Sequence, residues 1–104
     1  MLVDSHCHLD FPQLSGSIEQ VIGLMKDNGV GCALCIGVTL EDLPRVLALS
    51  EAWSVLLASV GVHPEATEVR EPTVAELVEL ARHPRVIAIG ETGLDYYWHK
   101  DAPE

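Results

Sequence analysis

Ser54-Val55-Leu56-Leu57-Ala58-Ser59-Val60-Gly61-Val62 is an apolar run without alternation, and it is followed at once by His63-Pro64. A strand with one wet face alternates apolar and polar residues, whereas a continuous run of this length suits a parallel strand covered by helices on both faces. Working outward, three further runs share the pattern: residues 2–7, 30–38 and 85–90. Helical periodicity fills the spaces between them. Ile18, Val21, Ile22 and Met25 follow a Ser17-x-x-Gln20 capping box and stop at Asn28-Gly29. A second helix over about 40–53 uses Leu43, Val46, Leu47 and Leu49, and it requires Pro44 to lie in its first turn. A third follows Pro72, opens on the capping box Thr73-x-x-Glu76, shows Val74, Leu77, Val78 and Ala81, and stops at His83-Pro84. The order β-α-β-α-β-α-β predicts an α/β fold with a parallel sheet and right-handed crossovers, either doubly wound or part of a (β/α)8 barrel.

Length separates these two. Four strands take up 104 residues, so eight would need about 208 before a last helix and insertions, near the typical barrel length of about 250. As a barrel, residues 1–104 are a single partial domain of about four βα units, the amino-terminal half. No linker or repeat divides it, and Asp101-Ala-Pro-Glu104 follows a strand-to-helix loop, so the expectation is a chain truncated at its carboxyl end.

With 16 Asp and Glu against 6 Lys and Arg, the formal net charge is −10. That balance argues against a protein that grips nucleic acid by summed positive charge, while leaving open a metal enzyme whose cations supply positive charge locally. Hydrophobic residues at 48% supply enough apolar surface for a core. The apolar runs are far shorter than the roughly 20 residues of a membrane span, and Met1-Leu-Val-Asp4 lacks the basic start of a signal peptide, so a soluble, cytoplasmic protein without a membrane partner is expected. Three cysteines cannot all pair within one chain, and Cys32-Ala-Leu-Cys35 has no second cysteine pair with which to close a zinc site. On a strand, Cys32 and Cys35 point to opposite faces, which disfavours a redox dithiol between them; buried reduced thiols are expected.

Chemistry-bearing residues gather where three apolar runs end: Asp4-Ser-His6-Cys-His8-Leu-Asp10, Gly61-Val-His63-Pro64 and Gly90-Glu91-Thr-Gly93-Leu-Asp95. In parallel α/β folds ligands bind at the carboxyl ends of the strands. The strand period of two projects His6 and His8 to one face, with Cys7 on the other, so both imidazoles can reach one metal ion; a hydrogen-bonded histidine pair at a strand end would show the same spacing. Glu91, after a buried strand and between glycines, is costly to place there unless it is paired or ligates a metal, and a carboxylate beside two imidazoles completes a nitrogen and oxygen donor set. His63 is placed to contact a substrate phosphate or leaving group, or to bond its own loop at Pro64. Asp4 and Asp10 are candidate hydrogen-bond partners for the imidazoles or turn formers, and Asp95 either orients a ligand or caps the next helix. His83, at a helix end before Pro84, reads as structural, and His99 beside Lys100 as solvated. Tyr96, Tyr97 and Trp98 either anchor a loop or stack on a base. The acidic residues over 65–76 and Glu41-Asp42 read as solvated loop and helix starts.

Taken together and in this order, the three segments resemble the TatD family of metal-dependent deoxyribonucleases over essentially the whole chain. The resemblance implies a TIM barrel of the amidohydrolase type that hydrolyses phosphodiesters in DNA, as an exonuclease or endonuclease, with divalent ions (Mg, Mn or Zn), two per complete site. His6 and His8 match the family's first-strand ligands to one metal, Glu91 the carboxylate that bridges two, and His63 a position near the pocket, so Glu91 and His63 are the catalytic candidates. The family's later ligands, two histidines and an aspartate on subsequent strands, have no counterpart before Glu104, and the chain alone is expected to be inactive or nearly so. An open half barrel would expose sheet edges and favour self-association, with no stable partner protein implied. Two alternatives stay open: a hydrolase of the same superfamily acting on an amide or ester, and an inactive remnant that binds metal or only self-associates.

Overall fold

Each of the four apolar runs forms a strand in the computed structural model, which describes residues 1–64 and 71–93. In chain order the elements are β1 Leu2–Cys7, α1 Pro12–Ser15, α2 Ile18–Asp27, β2 Val30–Cys35, α3 Leu43–Ala52, β3 Leu56–Val60, α4 Val74–Leu80 and β4 Val86–Ile89. The strands lie side by side in the order β1-β2-β3-β4, and every neighbouring pair is parallel. This is the α/β alternation expected, with one addition: the single turn α1, opened by Pro12, whose fixed φ suits a first helical position.

Two expected strands are shorter than their apolar runs. The runs over 30–38 and 54–62 continue past Cys35 and Val60 because Gly37 and Gly61 carry the chain off the sheet at its carboxyl edge, where the loops of the site begin. Pro44 lies in the first turn of α3, as a helix through it requires. The Thr73 capping box is complete: the Thr73 hydroxyl accepts from the Glu76 N–H at 3.1 Å and the Thr73 N–H donates to Glu76 Oε1 at 3.2 Å. The Ser17 box does not form. Thr73 has the extended backbone of a working cap (φ −80°, ψ 161°), whereas Ser17, just after α1, sits at φ −127°, ψ 30°, and its side chain makes no cap hydrogen bond. At the other end of α2 the chain stops as expected, with Gly29 at φ 77° and the Asn28 side chain donating to Leu24 O at 2.8 Å.

Cover on both faces holds for the middle of the sheet and fails at its edges. Leu56, Ala58 and Val60 of β3 are buried, together with Ala33 and Cys35 of β2, under Leu43 and Val46 of α3, and Ser59 is buried on the opposite face of β3. On the edge strands Leu2, Val3, Ile87 and Ile89 are each more than half exposed. The cause is topological: α2 packs on β2 and α3 on β3, which leaves the outer strands with fewer neighbours. Arg85 ties the amino end of β4 to its surroundings, its guanidinium donating to the carbonyls of Ser50 (3.0 Å), Ser54 (2.8 Å) and Leu56. Among the described residues, no helix is long and apolar enough to cross a membrane.

Candidate metal centre

The site grows from the carboxyl edge of the sheet. β1 delivers His6, and the residue after its end, His8, lies on the same side; the ring centroids are 5.0 Å apart, edge to face. The His8 ring is held flat by Phe11, whose ring stacks on it at 4.7 Å and whose N–H donates to His8 O, closing the turn after β1. Asp4 acts on the backbone and not on an imidazole: its carboxylate accepts the His6 N–H at 3.0 Å.

Glu91 is positioned by a lattice of backbone bonds across three strand ends. The Gly90 N–H donates to Val60 O and the Glu91 N–H to Gly37 O, both at 2.9 Å. Between them sits Ser59, fully buried, whose hydroxyl donates to Gly90 O at 2.8 Å and accepts the Gly37 N–H at 3.0 Å. The Gly90–Glu91 peptide bond is cis. Gly61 lies directly beneath: a β-carbon there would come within 2.6 Å of Gly90 C and 2.7 Å of Glu91 O, so the close approach of the two loops requires glycine.

The result brings together four residues singled out in the sequence. Nitrogen atoms of His6 and His8 and an oxygen of Glu91 lie within 4.8 Å of one another. The carboxylate of Glu91 divides its oxygens, with Oε2 3.5 Å from His6 Nε2 and Oε1 3.2 Å from His63 Nε2. His63 is steadied by its own N–H, which donates to Val38 O at 2.7 Å. Glu91 and His63 side chains are about one quarter exposed (28% and 27%) and that of His6 about half (53%), so the cluster is reachable from solvent.

The donor set suits a divalent cation. Two imidazole nitrogens and a carboxylate oxygen match the preferences of Zn or Mn better than those of Ca. His8 Nδ1 and Asp10 Oδ1 are buried without hydrogen-bond partners, which leaves His8, a member of the cluster, with a nitrogen open to a further water, ligand or ion. Burial pushes the Asp10 carboxyl above the usual carboxylate range.

The remaining candidates fall elsewhere. His83 lies at the opposite end of the sheet, bonded to Glu51 at 2.8 Å and accepting the Arg85 N–H at 3.1 Å, which is a structural arrangement. Asp95, Tyr96, Tyr97, Trp98 and His99, and part of the acidic stretch over 65–76, lie outside the described residues. Cys7 points away from the two histidines, as expected from strand alternation, and its Sγ meets Cys35 Sγ at 3.9 Å. Cys32 lies a register step away opposite Val3. Hydrogen bonding to Cys35 and burial hold the Cys7 thiol well above its usual range, while the same bond draws Cys35 down. Ser59, Gly37 and Gly61 were not singled out by sequence reasoning. The one signal available was the hydroxyl of Ser59 in the middle of an apolar run.

With this geometry in hand, the comparison with known proteins is decisive. The sequence profile described as TatD related DNase matches residues 3–104. The chain belongs to the TatD-related DNase family. Among its relatives, the Bacillus subtilis uncharacterized metal-dependent hydrolase YabD is 36% identical over 96% of this chain and 40% of its own length. The Edwardsiella piscicida 3'-5' ssDNA/RNA exonuclease TatD is 33% identical over 91% of this chain and 37% of its own length. The crystal structure of the Escherichia coli TatD homologue YjjV superposes with a TM-score of 0.80 at 36% identity, covering 92% of this chain and 38% of that one. The four-stranded parallel sheet is therefore that of the TatD TIM-barrel proteins, and the chain spans about two fifths of the length of the curated relatives it matches.

Proposed function

We propose that residues 1–104 form part of a TatD-type TIM-barrel domain that hydrolyses phosphodiester bonds in DNA with divalent metal, in which His6, His8 and Glu91 hold an ion and His63 faces the substrate. The observation that carries this reading is the convergence of the three donor groups within 4.8 Å at the carboxyl edge of the sheet. It is supported by the names of the relatives, metal-dependent hydrolases and one 3'-5' exonuclease. A divalent ion bound there, Mg, Mn or Zn and two in a complete site, supplies Lewis acidity toward a phosphoryl oxygen and a more acidic water.

The chain's own residues do the rest by position. Glu91 offers one oxygen to the side of His6 and keeps the other on His63, which holds the His63 ring at the open side of the cluster. There a phosphate oxygen can take over the hydrogen bond from the carboxylate. With a net charge of −10, the surface as a whole repels a polyanion, so substrate approach depends on the local positive charge of the ion. The exposed apolar residues on β1 and β4, Leu2, Val3, Ile87 and Ile89, support association through the sheet edges as part of the same reading.

The test is calorimetric titration with Mn2+ and Zn2+, followed by hydrolysis of single-stranded DNA with a chelator control. His6→Ala, His8→Ala and Glu91→Ala are each expected to weaken metal binding by about tenfold or more. Unchanged affinity in all three would overturn the site. Chelator-sensitive cleavage of an ester or amide substrate, with DNA untouched, would overturn the substrate class and leave the metal site standing.

A further inference from the structure

We infer that Cys7 and Cys35 form an oxidation site: a two-electron oxidant of the peroxide class links them by a disulfide that pins β1 to β2 directly behind the histidine pair. The two residues are direct cross-strand partners in the parallel ladder. Neighbouring strands lie about 4.7–4.9 Å apart, inside the Cα separation of about 4.4–6.8 Å that a disulfide spans. Their sulfurs already face each other at 3.9 Å, and closing to a bond of about 2.05 Å needs a movement of about 1.9 Å. Cys32 does not compete: its partner across the ladder is Val3, and on β2 it faces away from Cys35. Cys7 is the more accessible sulfur of the pair, since Cys35 is fully buried.

The chemistry balances with peroxide as the only co-reactant. One sulfur of the pair attacks a peroxide oxygen, the O–O bond breaks, and the thiol proton leaves with the departing oxygen as water, giving a sulfenic acid. The other sulfur then attacks the oxidised one: the S–S bond forms, the S–O bond breaks, and the hydroxyl leaves as a second water with the remaining thiol proton. Two thiols are oxidised by two electrons and one peroxide is reduced to two waters.

The position of Cys7 gives the link a consequence. It sits between His6 and His8, so drawing its side chain toward β2 moves the backbone that spaces the two imidazoles. Oxidation then weakens metal binding, a consequence that rests on the proposed site of His6, His8 and Glu91.

The experiment treats the reduced, metal-free chain with hydrogen peroxide and digests it with trypsin, which cuts after Lys26 and Arg45. Expected is a loss of about 2 Da and a crosslinked pair of peptides, residues 1–26 with 27–45, retained in Cys32→Ser and abolished in Cys7→Ser and Cys35→Ala. Oxygen adducts without a crosslink, or a crosslink through Cys32, would overturn the inference, and fragment spectra of the wild-type crosslinked pair, which place the link at Cys32 or at Cys35 within residues 27–45, decide this even where a cysteine variant folds poorly. Mn2+ affinity, measured before oxidation, after it and after reduction with dithiothreitol, is expected to fall about tenfold and recover. A crosslinked chain that binds Mn2+ as tightly as the reduced one refutes the switch. A reduced chain that binds no Mn2+ refutes the metal site instead, while the crosslinked peptides stand on their own.

Discussion

Ser59→Ala removes one oxygen atom from the middle of a buried strand, and its cost can be worked from the bonds that oxygen makes. The hydroxyl donates to Gly90 O at 2.8 Å and accepts the Gly37 N–H at 3.0 Å, with Ser59 fully buried. Alanine keeps the strand and the packing of its β-carbon, but leaves one carbonyl and one N–H without that partner. An unsatisfied buried polar group costs about 1–3 kcal/mol and two are left here, so the expected loss is about 2–6 kcal/mol, a large part of the stability of a small domain. In urea titrations, with a slope of about 2 kcal/mol per molar, the midpoint should fall by about 1–3 M with the slope unchanged. Ser54→Ala, on the exposed approach to β3, is the control and should stay within about 0.5 kcal/mol. Because Ser59 also fixes the peptide that presents Glu91, Mn2+ affinity should fall in Ser59→Ala at urea-free, fully folded conditions. A loss of less than about 0.5 kcal/mol would show that water or a backbone shift satisfies both groups and that Ser59 does not position the carboxylate.

Gly61→Ala should also be disruptive, since its β-carbon would lie 2.6 Å from Gly90 C, a backbone atom that cannot swing aside; a loss of about 1–3 kcal/mol is expected in thermal unfolding, together with weakened Mn2+ binding, and a wild-type melting curve would refute the close approach. Thr73→Ala removes the hydroxyl that accepts the Glu76 N–H in a formed capping box and should cost about 1 kcal/mol, whereas Ser17→Ala, where the side chain caps nothing, should stay within about 0.5 kcal/mol; equal effects in urea titration would contradict the cap assignment. Arg85→Lys keeps the charge but loses the fork that reaches the carbonyls of Ser50, Ser54 and Leu56, so about 1–3 kcal/mol should be lost, and a neutral result would show the fork to be ornamental.

What could be read from the residues, and what could not, follows the range of the interactions involved. A strand such as Leu56–Val60 announces itself because burial on both faces forces an unbroken apolar run, and the facing of His6 and His8 follows from a period of two that needs no knowledge of neighbours. The limits of the strands were overstated because apolar residues continue past Gly37 and Gly61, where the chain turns off the sheet to build the site. The two capping boxes share one pattern and differ in outcome because a cap depends on the backbone that enters it, and α1, too short to show a period, sets that backbone before Ser17. Ser59, Gly61 and the Cys7–Cys35 pair depend on how one strand is aligned with the next, and a register slip of one residue would turn each to the opposite face while leaving every local pattern intact. The register that sets Cys35 opposite Cys7 is therefore the same fact that sets β2 in step with β1, and the alignment of β2, β3 and β4 in turn lets Gly37, Ser59 and Gly90 bond and carries Glu91 back to His6. The proposed metal centre, assembled from strands one and four of a parallel sheet, is thus a readout of three successive registers. For that reason substitutions at Ser59 and Gly61, neither of them a proposed ligand, are expected to reach metal affinity as well as stability.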